Sequence, residues 1–263
     1  IILILSALIF GYSPSWMTLI LCSSIFPNIA HALSIGWVFS PHIWSIGVEE
    51  QFYLFWPTIL KRSTNMIIFI CISFIIIYPF LPHAIQYLMV RAEFASEKLI
   101  LVEKIFNVLN FNAMATGALF SILYFQKNKL IIKFITFSKV VNRILVFLPF
   151  VLWFTAFNFG FLQIPLFSIM FAWMIVLIIS GNLTNLFEIG ILRFIGKISY
   201  GIYMYHWIIL LLVMKCLIPF FETSPIASNF TLYFAVILST ILIAYISFEY
   251  IEKRFLMYKS RYN

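Results

Sequence analysis

Glu49 and Glu50 stand side by side inside an apolar run, with Ser45 before them and Phe52, Tyr53 and Trp56 after. Steps of three and four residues bring Ser45, Glu49, Phe52, Tyr53 and Trp56 to one face of a helix. A serine hydroxyl, a carboxylate and a phenol on one stripe can orient a hydroxyl substrate or tune a base. A mid-membrane charge costs about 2.5–3.5 kcal/mol on insertion scales, so the pair marks either a functional site or a solvated helix end. His206 is the second candidate, with Tyr203 three residues before it and Ser199 seven before, on one polar stripe. A histidine in an apolar helix carries protons or hydrogen-bonds a neighbouring helix. His31 and His42 are candidates for the outer mouth of a helix bundle, whereas His83 reads as a loop residue. Cys22, Cys71 and Cys216 lie isolated in apolar runs with no metal-ligand spacing, so neither a metal site nor a disulfide framework is expected.

The elements that must hold these residues are membrane helices. Of 263 residues, 63% are apolar and 10% charged, and the mean hydropathy is +1.06. Soluble domains carry about 25% charged residues. Helices of about 20 apolar residues cross the bilayer core and satisfy their own backbone groups. Apolar runs predict helices near 1–13, 45–60, 65–82, 108–125, 144–160, 163–181, 200–218 and 230–249. Residues 17–36 are also apolar, but Ser23, Ser24, Pro27, Asn28 and His31 interrupt them. There is no repeat and no soluble appendage, so residues 1–263 read as one membrane domain, all-α, with about eight spans.

The net charge of +8, with no Asp, follows the rule that cytoplasmic loops collect Lys and Arg and needs no nucleic-acid partner. The segment from Gln126 to Arg143 holds Lys127, Lys129, Lys133, Lys139 and Arg143 without an acid, which places it in the cytoplasm. Counting spans from it puts Lys61-Arg62, the segment of Arg193 and Lys197, and the tail with Lys253, Arg254, Lys259 and Arg261 on the same side. Segment 83–107, mixing Arg91, Lys98 and Lys104 with Glu93, Glu97 and Glu103, falls outside. By the same parity residues 17–36 enter and leave on one side, as a re-entrant or interfacial segment. The chain opens mid-hydrophobic, without Met or a basic leader, and reads as part of a longer protein.

Trp44-Ser45-Ile46-Gly47-Val48-Glu49-Glu50-Gln51-Phe52-Tyr53-Leu54-Phe55-Trp56-Pro57 resembles the W-S-L-x-V-E-E-Q-F-Y-L-x-W-P signature of the acyltransferase-3 family. Its members are bacterial polytopic enzymes that O-acylate surface carbohydrates. Three further stretches resemble the family's later motifs in order. They are Asn112 to Leu119, Arg193 to Trp207, and Ser247 to Phe255. Departures are Gly47, where Ser or Ala is usual; Asn110 and Asn112, where the family carries an Arg and an Asp; and Arg254 in place of Pro.

The resemblance implies transfer of an acyl group, most often acetyl, from cytoplasmic acyl-CoA to a hydroxyl of an O-antigen, exopolysaccharide or similar glycan. It implies an inner-membrane, multi-pass protein with a cytoplasmic C-terminus, and no bound cofactor beyond the acyl-CoA substrate. Glu49, Glu50 and His206 are the expected catalytic residues; Ser45, Tyr53, Ser199 and Tyr203 are expected to bind substrate. The family has ten spans, so the first two are expected to be missing here. With them would go a first-helix histidine, regarded as the base, and an arginine pair linked to acyl-CoA. The 263-residue chain alone is therefore expected to be inactive. The rival reading is a proton-coupled transporter or flippase of an envelope precursor, although no paired halves are visible. A non-catalytic membrane subunit is the third.

Overall fold

A computed structural model of the chain describes residues 2–91, 97–181, 183, 187–217 and 225–259. Glu93 of the acidic–basic outer segment and Arg261 of the basic tail lie outside the described residues. Among the described residues every regular element is a helix, and there is no strand. Two compact units result, one of residues 1–19, 37–43 and 188–263, the other of residues 20–36 and 44–187.

Each run expected to be helical forms a helix. These are α1 (Ile2–Phe10), α4 (Trp44–Leu60), α5 (Thr64–Ile77), α8 (Phe111–Phe125), α10 (Lys139–Phe154), α11 (Gln163–Ile179), α13 (Ser199–Leu217) and α14 (Pro225–Ser247). By length and composition, five helical stretches among the described residues suffice to cross a membrane: Thr64–Arg91, Leu99–Phe125, Gly160–Ile179, Ser199–Leu217 and Asn229–Tyr258. A sixth is possible if α9 (Lys129–Phe137) and α10, bent by 96°, count as one broken span. Asn128 and Ser138 cap α9 and α10, accepting from the backbone N–H of Leu130 and Val141, which is why the chain breaks between them. Of the eight expected spans, α1 has 9 residues and α4 has 17. At 1.5 Å per residue these reach about 14 and 26 Å against a core of about 30 Å.

Segment 83–107, read from its charges as a connection, is instead largely helical, with α6 (Leu81–Arg91) and α7 (Glu97–Leu109). Its charged residues hid an amphipathic period. Residues 17–36 are broken helices, α2 (Trp16–Ser23) and α3 (Pro27–Ala32), each far shorter than a span. In the first unit, Trp37 and Phe39, just past this segment, return to α1. The Trp37 indole donates to Ser6 Oγ at 2.8 Å, and the Phe39 ring stacks on Phe10 at 4.3 Å. Tyr12, just before the segment, meets both Trp37 and Phe39 at 5.4 Å.

In that unit α13 packs along α14 where Gly201 faces Ala244, and a Cβ on Gly201 would stand 3.1 Å from Ala244. Small residues let membrane helices approach, because packing must replace the hydrophobic drive. Ile198, Ala244 and Phe248 form the core there. α12 (Gly190–Lys197) leads into α13, and its Lys197 ammonium lies 4.8 Å from the Phe248 ring. α14 passes through a wider π turn at Phe248–Glu252 into α15 (Lys253–Lys259). In the second unit α5 packs on α8 around Ile67, Cys71 and Ala115, and α8 packs in turn on α11. A second core of Val146, Leu177 and Leu183 joins α10 to α11. Each unit exposes large apolar side chains, among them Phe69, Phe154 and Phe230, as a lipid-facing surface requires.

Candidate active site

In the second unit α4 carries two faces. Its buried face holds Gly47, Val48 and Gln51. Gln51 and Asn28 pair side chain to side chain: the Asn28 amide donates to Gln51 Oε1 and the Gln51 amide to Asn28 Oδ1, both at 2.9 Å. The Gln51 amide also donates to the Ile25 carbonyl at 2.8 Å. Both side chains are buried, at 6% and 1% exposure. Unpaired amides there would cost about 1–3 kcal/mol each, so the pair fixes α3 against α4. One turn earlier Gly47 faces Pro27, and a Cβ at 47 would fall 2.6 Å from the proline ring. One further turn back His31 stacks on Trp44, centroids 5.8 Å apart. Trp44, Gly47 and Gln51 thus form the seam on which α3 sits. The Gly47 departure acquires a reason: this chain has Pro27 where a side chain would have to go.

The other face carries the expected chemistry. Glu49 and Glu50 are exposed, Tyr53 is 60% exposed, and Ser45 is half-buried. The stripe divides at Phe52, which turns inward with Trp56, rings stacked at 4.8 Å, and tilts against Phe111 of α8 at 6.4 Å. These aromatics line an apolar cavity of about 190 Å³ that holds no carboxylate. Ser45, Glu49 and Tyr53 therefore share the open face of α4, while Phe52 and Trp56 serve packing.

In the first unit His206, Tyr203 and His42 come together. The Tyr203 hydroxyl donates to the His42 carbonyl at 2.6 Å. His206 Nδ1 lies 2.6 Å from the Tyr203 carbonyl, an atom that can only accept, so Nδ1 carries a hydrogen. In the neutral ring the lone pair then sits on Nε2. The His42 ring lies 4.5 Å from that of His206 and 5.0 Å from that of Tyr203. Both His42 ring nitrogens are buried without a well-formed hydrogen bond among the described residues. Burial first, then the neighbouring His206, lowers the His42 pKa to about 4, with the Met204 backbone partly offsetting. His42 is thus neutral beside His206 at ordinary pH.

Ser199 does not join this cluster: exposed at the start of α13, it donates to the Gly196 carbonyl at 2.8 Å and secures the α12–α13 corner. His42, expected at the outer mouth, joins this cluster; it stands in sequence beside the Glu motif but packs on α13. The two late motifs face each other across α13 and α14. The Tyr205 hydroxyl lies 3.0 Å from Ser247 Oγ, which donates to Glu252 at 3.5 Å. Glu249 pairs with Lys253 at 2.7 Å, one helical turn apart.

A family model described as an acyltransferase domain matches residues 1–249 of this chain. Neither a curated protein nor a solved structure matches it significantly.

Proposed function

We propose, since the chain belongs to the acyltransferase-3 family, that the protein moves an acetyl group from acyl-CoA to a carbohydrate hydroxyl in the bacterial envelope. The match over residues 1–249 carries this reading, because it spans the Glu motif and the His206 helix together and reaches the start of the Ser247 segment. In the reaction, the sugar hydroxyl oxygen attacks the thioester carbonyl carbon. The C–S bond breaks, an ester C–O bond forms, the hydroxyl proton goes to a base, and CoA leaves as the thiol.

His206 suits proton transfer: Nδ1 is tied to a carbonyl and Nε2 keeps its lone pair. His42, neutral beside it, positions the ring without adding a repelling charge. Glu49, Glu50, Ser45 and Tyr53 provide polar lining on the open face of α4. Tyr203 holds the His42 backbone and acts on substrate only through that placement. The donor comes from the cytoplasm, the side of Lys61, Arg62 and the basic 126–143 segment, and the acceptor from outside. Residues 17–36 serve as a re-entrant segment, a reading supported by the contacts of Tyr12 with Trp37 and Phe39.

Mass spectrometry of surface glycans from cells with and without the full-length gene tests the activity. An ester-linked acetyl group should vanish with the gene. Unchanged glycans would remove the acyltransferase reading and leave transport of an envelope precursor as its replacement.

A further inference from the structure

In the second unit a cavity of about 280 Å³ lies where α5 turns into α6, α7 into α8, and the 160–165 corner into α11. Four amides line it: Asn107, Asn110, Asn112 and Gln163. Asn112 is only 3% exposed, yet its Oδ1 is buried with no hydrogen-bond partner. A buried amide oxygen left unpaired costs about 1–3 kcal/mol, so this side chain keeps unspent hydrogen-bonding capacity beside the cavity. Gln163 Oε1 accepts from the Phe159 backbone N–H at 2.8 Å, leaving the NH2 end of that amide as a donor. Asn110 holds its place in a left-handed turn, φ +42°, between α7 and α8. The Tyr78 hydroxyl is spent on the Phe106 carbonyl, so it braces the wall.

The remaining walls are mostly apolar, with Phe106, Phe161, Ile164 and three prolines, and include the ring of His83, which lies 5.4 Å from that of Phe161. None of the residues lining the cavity is Asp, Glu, Lys or Arg. Amides that offer donor and acceptor together match vicinal hydroxyls, and aromatic faces match the C–H face of a sugar ring. With no Lys or Arg on the wall and His83 its one basic side chain, the cavity offers no fixed positive charge to a phosphate, a carboxylate or CoA. The volume is near the lower bound of ligand pockets, about 300 Å³, which suits one ring. Asn112 stands 13 residues before the end of α8, so the cavity lies about 20 Å along that helix from the Lys127 end. Lys61 and Arg62 precede α5 at that same basic end, and the cavity lies at the other.

We infer that this amide-lined cavity is a binding subsite for a neutral sugar residue of the acceptor glycan. The inference rests on the acetyl-transfer reading for the word acceptor, but the site is testable without it. Saturation-transfer NMR on the full-length protein in lipid nanodiscs, with the methyl glycosides of glucose, galactose, mannose and rhamnose as probes, reads occupancy directly. At least one glycoside should bind, and Asn112→Leu should weaken it tenfold or more. If Asn112→Leu fails to insert, Gln163→Glu, which keeps size and the Oε1 that accepts from Phe159 while removing the NH2 donor, should give the same loss. Binding by none of the four, or binding unchanged in an inserted variant, would overturn the subsite and leave a water-filled cavity. Loss of acetyl transfer is scored separately on whole cells. A protein that binds the glycoside but never esterifies glycans sinks the reaction and keeps the site, whereas esterification without binding does the reverse.

Discussion

His206 and the carboxylates give the sharpest predictions at the scale of single residues. Replacing His206 by Gln in the full-length protein should lower glycan acetylation by about 10²–10⁴-fold, the usual worth of a positioned proton-transfer group. Normal acetylation in an inserted variant removes its role. Glu49→Gln and Glu50→Gln should each abolish the surface ester, and full activity in either would remove that carboxylate from the site. His42 controls a pH effect whose sign follows from its depressed pKa. The unfolded chain binds the proton near the usual 6.5, the folded one only near 4. Folded stability is therefore fully present above about pH 6.5 and drains away as the pH falls towards 4. Thermal unfolding of the purified protein between pH 8 and 4.5 should show this decline, and His42→Asn should flatten it. The Glu pair was legible in the sequence because charge inside an apolar run is conspicuous. His42 is only half legible: its place before the Glu motif is plain in the sequence, but its contact with a ring 164 positions later leaves no local signal.

At the scale of elements, the Glu motif reads as a helix with two jobs. Gly47 and Gln51 seat α3, while Glu49 and Tyr53 face the open side. Gly47→Ala should push the Cβ into Pro27 and destabilise the folded protein by about 1–3 kcal/mol, the usual toll of overpacking. Gln51→Leu strands the Asn28 amide and should cost a similar amount. The double change with Asn28→Leu should recover part of that loss, and strictly additive melting shifts would show that the amides act independently. For the 17–36 segment, cysteines introduced at Ser15 and Val38 should label from one side of the membrane; labelling from opposite sides would make the segment a true span. The break in that segment could be read from its Ser, Pro and Asn residues. What those residues bind could not, because Asn28 finds Gln51 23 positions away. The helices at 81–91 and 97–109 are hidden in the sequence for the opposite reason: their charges resemble those of a loop, whereas the period of the apolar residues between them is helical.

At the scale of the whole molecule, composition alone placed the chain in a bilayer, because a surface with so few charges cannot be clothed in water. The family too was determined by sequence, since the Glu motif and the later motifs recur in order and the family model spans residues 1–249. Orientation predicts that a cysteine at Asn128, within the basic segment, labels only from the cytoplasmic face; labelling from outside would invert the topology. Helix identity and location are local or compositional properties, carried by runs and periods a few residues long. Tertiary structure decided which side chains meet: Asn28 with Gln51, His42 with His206, Gly201 with Ala244, and the four amides around the cavity at Asn112. Such pairings depend on how helices cross and where the chain folds back. Among apolar helices many crossings bury the same lipid-like surface, so hydrophobicity alone does not choose between them. Close approach at small residues and the cost of an unpaired buried amide do, and both exist only once the helices are in place. The Glu49–Glu50 pair thus announces itself in one dimension, while the seam that holds its helix is written only in three.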